Sequence, residues 1–219
     1  MNVLILVNGT PPSQPLLARL AASHDLFLVV DGAVYAAVER GVTPDVVCGD
    51  FDSVPLETAQ RLFPDAEMVP TPDQNLADGE KALRLAQKRG ASSVTLTGTA
   101  GGRMDHWLGH ITLLLRYHAE MALTLREDGT ETRAVSGTDD RPGEWVVVTR
   151  PSDTISLLSL DGQVRASVTG VQWPLDGFAL PVGTQGLSNQ ATGDRVVVQA
   201  RGGVLVACHL FDEMGADGP

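Results

Sequence analysis

The chain has 219 residues, room for one large domain or two modest ones, and its 43% hydrophobic content with mean hydropathy +0.03 is the composition of a globular, soluble protein. Lys and Arg number 16 against 27 Asp and Glu, and the resulting formal charge of −11 sets the chain against a nucleic acid as partner. The same field favours a small cationic substrate, while phosphates would need Mg²⁺ or a local cluster of donors. No basic residue precedes the first apolar run, as one would in a signal peptide, and no later stretch approaches membrane-spanning length, so a cytoplasmic protein without a membrane partner is expected. Cys48 and Cys208 lie far apart in apolar runs and read as core residues.

From Met1 to about Glu127, short apolar β-like runs alternate with helical patterns, the signature of strand-helix-strand units and a mostly parallel sheet with helices on both faces. The expected strands are Val3 to Asn8, Leu26 to Val30, Val46 to Gly49, Glu67 to Val69, Ser93 to Thr97 and Leu123 to Leu125. Helices are expected at Leu16 to Ser23, Ala33 to Arg40, Pro55 to Phe63, Asp78 to Arg89 and Asp105 to Tyr117. In the last, Leu108, Ile111, Leu114 and Leu115 keep helical spacing and read as one buried stripe. Beyond Glu127 the chain is turn-rich and β-branched, and Val164, Ala166 and Val168 alternate with Arg165, Ser167 and Thr169 as in a half-buried strand. Trp145 to Thr149, Thr154 to Leu160, Arg195 to Ala200 and Val204 to His209 continue that pattern. The expectation is an α/β domain over residues 1–127, a small antiparallel β-sandwich over 128–212, and a frayed tail at 213–219.

Loops that follow parallel strands emerge at one edge of the sheet, where ligands bind. That rule gathers Asp31, the Asp50-Phe51-Asp52 segment, the stretch from Asp73 to Lys81, and the loop from Gly98 through Gly101, Gly102 and Arg103 to Asp105 and His106. On an extended backbone Asp50 and Asp52 would point the same way, with Phe51 turned inward, a geometry suited to a hard cation. The glycines allow close approach to an anion and Arg103 adds a forked donor for phosphate oxygens. Simpler roles stand beside these: a solvated turn at Asp50 and Asp52, an exposed ion pair of Asp78 with Lys81, an N-cap at Asp105, and packing or surface roles for His110 and His118.

Asp31-Gly32-Ala33, Gly41-Val42-Thr43-Pro44-Asp45, Gly49-Asp50-Phe51-Asp52-Ser53, Asp73 to Leu83, Gly101-Gly102-Arg103-Met104-Asp105-His106, Gly170-Val171-Gln172-Trp173-Pro174-Leu175 and Gly186-Leu187-Ser188-Asn189 together resemble the thiamine pyrophosphokinase family over nearly the whole chain. The resemblance implies a homodimer that transfers a diphosphoryl group from ATP to the hydroxyl of thiamine, releasing AMP. It implies Mg²⁺ held by Asp50, Asp52 and Asp78. Asp52, Asp78, Arg103 and Asp105 would be catalytic, and Asp31, Lys81, Gly101, Gly102 and His106 would line the ATP site. It also implies that Trp173 stacks on the thiamine cation, with Ser188 and Asn189 hydrogen-bonding nearby, in a pocket completed across the dimer interface. Read from the residues alone, Trp173 would instead be a core tryptophan of the sandwich. Asn75, Ala77 and Gly79 depart from the family pattern, where an Asp, a Thr and a larger residue are usual. These departures leave two alternatives, an impaired thiamine- or nucleotide-binding protein and a diphosphokinase acting on another hydroxymethyl compound such as a pterin.

Overall fold

The computed structural model describes residues 1–212, and the expected tail at 213–219 lies outside the described residues. The contacts divide the chain into two compact units, one of residues 1–113 with 121–128, the other of 114–120 with the residues from Gly129 onward. The first unit runs β1 (Asn2–Leu6), α1 (Gln14–Ser23), β2 (Leu26–Val30), a 3₁₀ turn (Asp31–Ala33) leading into α2 (Val34–Glu39), β3 (Val46–Gly49), α3 (Leu56–Leu62), β4 (Glu67–Pro70), α4 (Asp78–Lys88), β5 (Ser93–Thr97), α5 (Met104–Tyr117) and β6 (Ala122–Glu127). Its strands lie in the order β6-β5-β1-β2-β3-β4, and each neighbouring pair is parallel. Val3, Leu4, Ile5 and Leu6 are fully buried, as the near-continuous apolar runs of a parallel sheet covered on both faces require. β1 pairs with β2 on one side and β5 on the other, so the strand order reverses there and opens a crevice at the carboxyl edge.

The second unit takes up β7 (Thr130–Gly137), β8 (Gly143–Val148), β9 (Thr154–Leu158), β10 (Arg165–Thr169), β11 (Leu175–Ala179), β12 (Asn189–Gln190), β13 (Arg195–Arg201) and β14 (Gly203–Leu210). One antiparallel layer runs β12-β9-β14-β7 and a separate one β11-β10-β13-β8. Val135, Ile155, Leu157 and Leu205 of the first layer meet Trp145, Val147, Ala166, Val168, Val196 and Val198 of the second in one core, the expected β-sandwich. Val164, Ala166 and Val168 are buried while Arg165 and Thr169 face outward, as their alternation predicts.

Several expectations need correction. β1 stops at Leu6, and the helix expected from Ala33 begins as a 3₁₀ turn at Asp31. In α5 the apolar stripe is misplaced: Leu108 is 52% exposed, whereas Leu113, Leu114 and Tyr117 are buried. The inward face is His110-Leu113-Leu114-Tyr117, a full i, i+3, i+4, i+7 set whose first member is a histidine. Cys48 is buried as expected, and burial pushes its thiol up to about 12. Cys208 is only half-buried and accepts a hydrogen bond from Thr132.

Candidate active site

Asp31 follows β2 directly and is fully buried, with Oδ1 accepting from the Gly32 amide at 2.8 Å. Its Oδ2 is buried without a hydrogen-bond partner among the described residues. Burial pushes the carboxyl above the usual carboxylate range; the Gly32 amide and, more weakly, the Ser53 backbone oppose that rise, and the negative charges of Asp78 and Asp50 add to it. Gly49, the last residue of β3, permits this packing, because a Cβ there would lie 2.5 Å from the Asp31 carboxyl carbon.

Asp50 and Asp52 converge, but not by the extended geometry expected. The chain bends after Gly49, and Phe51 sits half-buried at φ 60°, a left-handed conformation that costs a non-glycine residue of the order of 1 kcal/mol. This turn brings one carboxylate oxygen from each of Asp31, Asp50 and Asp52 within 4.8 Å of one another. Asp78 is outside the cluster. Its Oδ1 accepts from Lys81 Nζ at 2.9 Å, and the same ammonium reaches Asp50 Oδ2 at 3.1 Å. Lys81 is 6% exposed, so the exposed ion pair read from the sequence is not what forms. Burial works against the Lys81 charge, yet the bonds to Asp78 and Asp50 outweigh it and raise the ammonium above its usual value. The same contact holds Asp50 below the usual range.

Three oxygens with one buried lone-pair donor unpartnered fit a hard divalent cation, which takes carboxylate oxygens and keeps room for water or phosphate. Beside the cluster lies a crevice of about 310 Å³ lined by Asn8, Gly9, Asp78, Gly101, Arg103 and His110, with Gly102 and His106 also on its wall. Gly98, Gly101 and Gly102 all adopt positive φ, so this loop is built on conformations that other residues rarely take. Arg103 grips Asp105 bidentately, Nε to Oδ1 at 3.1 Å and Nη2 to Oδ2 at 2.5 Å, and this bond draws the Asp105 carboxyl down to about 2. α5 begins at Met104, so Asp105 lies in its first turn rather than at the cap.

His110, read as a packing or surface residue, lines the crevice with its Nδ1 buried. Burial lowers its pKa, a contact with the Thr99 backbone offsetting part of the shift. Gly79 gives it room, since a Cβ at that position would stand 3.2 Å from Nε2. Two more acidic side chains, absent from the sequence reading, hold loops at the same edge of the sheet. Glu127 accepts from the Thr99 amide and Asp128 from Ser13. Their signal was faint, because their partners are loop groups 28 and 115 residues away.

In the second unit Trp173 is 56% exposed, so it is not the core tryptophan that the residues alone suggested. Trp145 has that role. The Trp173 N–H donates to Asn189 Oδ1 at 3.1 Å and its carbonyl accepts from Asn189 Nδ2 at 2.6 Å, so the Asn189 amide clasps the Trp173 backbone. Ser188 precedes it at φ 61° and donates its N–H to Ser156 Oγ at 3.1 Å. Trp173, Ser188 and Asn189 therefore form one corner of the sandwich, with the indole offered outward.

The fold and crevice define a two-module α/β protein with a glycine-walled crevice at the switch point of a parallel sheet and a β-sandwich module. The model of the thiamin pyrophosphokinase catalytic domain matches residues 17–125, and that of the thiamin pyrophosphokinase vitamin B1 binding domain matches residues 146–205. The chain belongs to the thiamin pyrophosphokinase family. It is 24% identical over 219 residues to the thiamine pyrophosphokinase of Bacillus subtilis (strain 168), covering 97% of this chain and 100% of the relative. The crystal structure of the Bacillus subtilis thiamine pyrophosphokinase is similar at TM-score 0.82 and 22% identity, over 97% of this chain and 100% of that one. The thiamin pyrophosphokinase of Geobacillus thermodenitrificans follows at TM-score 0.80 and 25% identity, over 97% and 99% of the two chains.

Proposed function

We propose that this chain transfers the diphosphoryl group of Mg·ATP to the hydroxyl of thiamine, giving thiamine diphosphate and AMP. Family membership makes the chain a thiamine pyrophosphokinase. The metal, the donor and the residues in their roles are our reading. It rests on the convergence of Asp31, Asp50 and Asp52, with one buried oxygen left unpartnered, beside a crevice walled by glycines and Arg103. Asp31, Asp50 and Asp52 would hold Mg²⁺, which when bound offsets phosphate charge.

In this reading the thiamine oxygen attacks the β-phosphorus, the bond from that phosphorus to the bridging oxygen breaks, and AMP leaves with that oxygen. Arg103 releases Asp105 and turns its fork to the phosphates, and the Gly101 and Gly102 backbone lets them approach closely. Asp78, at the mouth of the crevice, accepts the hydroxyl proton. Trp173 offers an indole face to the thiazolium cation, and Asn189 fixes the backbone that carries it.

A homodimer and a cytoplasmic setting belong to the same proposal. The dimer is supported by the exposed apolar side chains of Met104, Trp107 and Leu108 along α5. The cytoplasmic setting follows from the proposed use of ATP. No helix among the described residues is long and apolar enough to cross a membrane. The test is AMP release from ATP and thiamine with and without Mg²⁺. Turnover that needs both thiamine and Mg²⁺, and falls at least about a hundredfold in Asp52→Asn, is the expected outcome. ADP as product, or Asp52→Asn behaving as wild type, would overturn it.

A further inference from the structure

Two adjacent acidic residues at the end of β6 each hold a different loop at the carboxyl edge of the sheet. The parallel register that pairs Leu96 with Leu125 carries Glu127 level with the loop after β5. There its Oε1 accepts from the Thr99 amide at 2.6 Å and from the Thr99 hydroxyl at 2.6 Å, and its Oε2 accepts from the Gly98 amide at 3.2 Å. The next residue, Asp128, accepts from the Ser13 amide at 2.6 Å and the Ser13 hydroxyl at 2.5 Å, at the far end of the loop after β1. Ser13 in turn caps α1 by accepting from the Leu16 amide at 3.4 Å.

The two loops so held also touch each other. The Thr10 amide donates to the Ala100 carbonyl at 2.7 Å, and Gly9 lies so close that a Cβ would stand 2.7 Å from the same oxygen. Asn8, Gly9, Thr99, Gly101 and Gly102, all within or beside these loops, line the crevice. Glycine-rich backbone in left-handed conformations has little rigidity of its own, so fixed points must come from outside the loop. Charge-assisted bonds from a carboxylate to amides are strong fixed points.

We infer that Glu127 and Asp128 are positioning residues for the diphosphoryl donor, one bracing the β5–α5 wall and the other the β1–α1 wall of the crevice. Neither side chain is among those lining the crevice, so each acts through the backbone it holds. The inference rests on the reading of the crevice as the ATP side of the site. Its ligand class is the polyphosphate of a nucleoside triphosphate, not the thiazolium of thiamine.

Glu127→Gln and Asp128→Asn keep shape while replacing one acceptor oxygen with a donor that opposes the loop amides. The expected result is a rise of about tenfold or more in KM for ATP, and a matching loss of ATP affinity by calorimetry, with KM for thiamine within about twofold. Amide exchange should quicken at Gly98 and Thr99 in Glu127→Gln and at Ser13 in Asp128→Asn. A brace that served the fold alone would lower the melting temperature and leave this split between the two substrates absent. That outcome, or unchanged ATP affinity in both variants, overturns the inference. If Glu127→Gln does not fold, Asp128→Asn and Ser13→Ala test the same bracing from the other wall. A wild-type chain that binds ATP but releases no AMP would sink the proposed reaction and leave the affinity comparison intact, whereas one that binds no ATP would sink both.

Discussion

Asp31 shows at the scale of a single residue how this site stores cost for use. A fully buried carboxylate beside Asp50 and Asp78, with one oxygen unpartnered among the described residues, disfavours its own ionised form. The sign follows from the raised value in the folded state. Any stability contributed by its protonated form is present below the ordinary carboxyl range and is lost as pH rises through the folded value, so at neutral pH the ionised carboxyl weighs against the fold. Asp31→Asn removes that charge and turns an amide toward Asp50 and Asp52. It should stabilise the metal-free protein by about 1 kcal/mol at neutral pH, flatten the fall in stability above the carboxyl range, and abolish both turnover and Mg²⁺-dependent stabilisation. Denaturant unfolding at several pH values, with and without Mg²⁺, together with the AMP-release assay, measures all three. A destabilised Asp31→Asn would mean that the wild-type carboxylate already has a structural partner.

At the scale of the element, α4 carries Asp78 and Lys81 to the crevice, yet it starts without a side-chain cap. Ala77 occupies the N-cap with extended backbone at φ −69°, ψ 152°, and its methyl makes no side-chain cap hydrogen bond. Its departure from the family's threonine is thus legible as a missing cap. Ala77→Thr should raise stability by about 0.5–2 kcal/mol in denaturant unfolding and leave KM for both substrates within about twofold. Ala77 also lines the crevice, so a large change in KM for ATP would mean that its side chain meets the donor as well as opening α4. Asn75 is likewise occupied locally, its amide and its side chain both donating to Asp73 Oδ1 at 2.9 and 3.0 Å. Strands β1, β2 and β3 were readable because burial on both faces makes each a near-continuous apolar run. The rest was harder. β7 buries only Thr132 and Val135, breaking the period of two, and β11 runs Leu-Asp-Gly-Phe-Ala. On α5 the buried face opens with His110, so apolar spacing alone points one register away, to Leu108 and Ile111. Within the site the aspartates were legible as short motifs after strands, whereas Lys81's burial, the bend at Phe51 and the reach of Glu127 and Asp128 depend on chain brought together from afar.

For the whole molecule, the inward turn of His110 and Leu113 decides what α5 leaves outside. The outward face carries Met104, Trp107 and Leu108 at 69%, 40% and 52% exposure, an i, i+3, i+4 apolar set on a chain with a formal charge of −11. Side chains of this kind standing in a row on a helix that also carries Asp105 and His106 are suited to a self-complementary contact, and a two-fold dimer is the commonest way to cover such a face. The occupant we expect is a second copy, with the same stripe contributed by each. Leu108→Glu places a like charge opposite its symmetry mate on a background that is already acidic, and since Leu108 is half-exposed the fold should tolerate it. Sedimentation velocity at micromolar concentration should show wild type as a dimer and Leu108→Glu shifted to monomer, with the melting temperature then independent of protein concentration. If thiamine is held in a pocket completed by two chains, KM for thiamine should rise with the monomer fraction while ATP affinity stays put. A wild-type monomer, or a variant that remains dimeric, would move the interface away from α5 and leave the stripe without a partner in this chain.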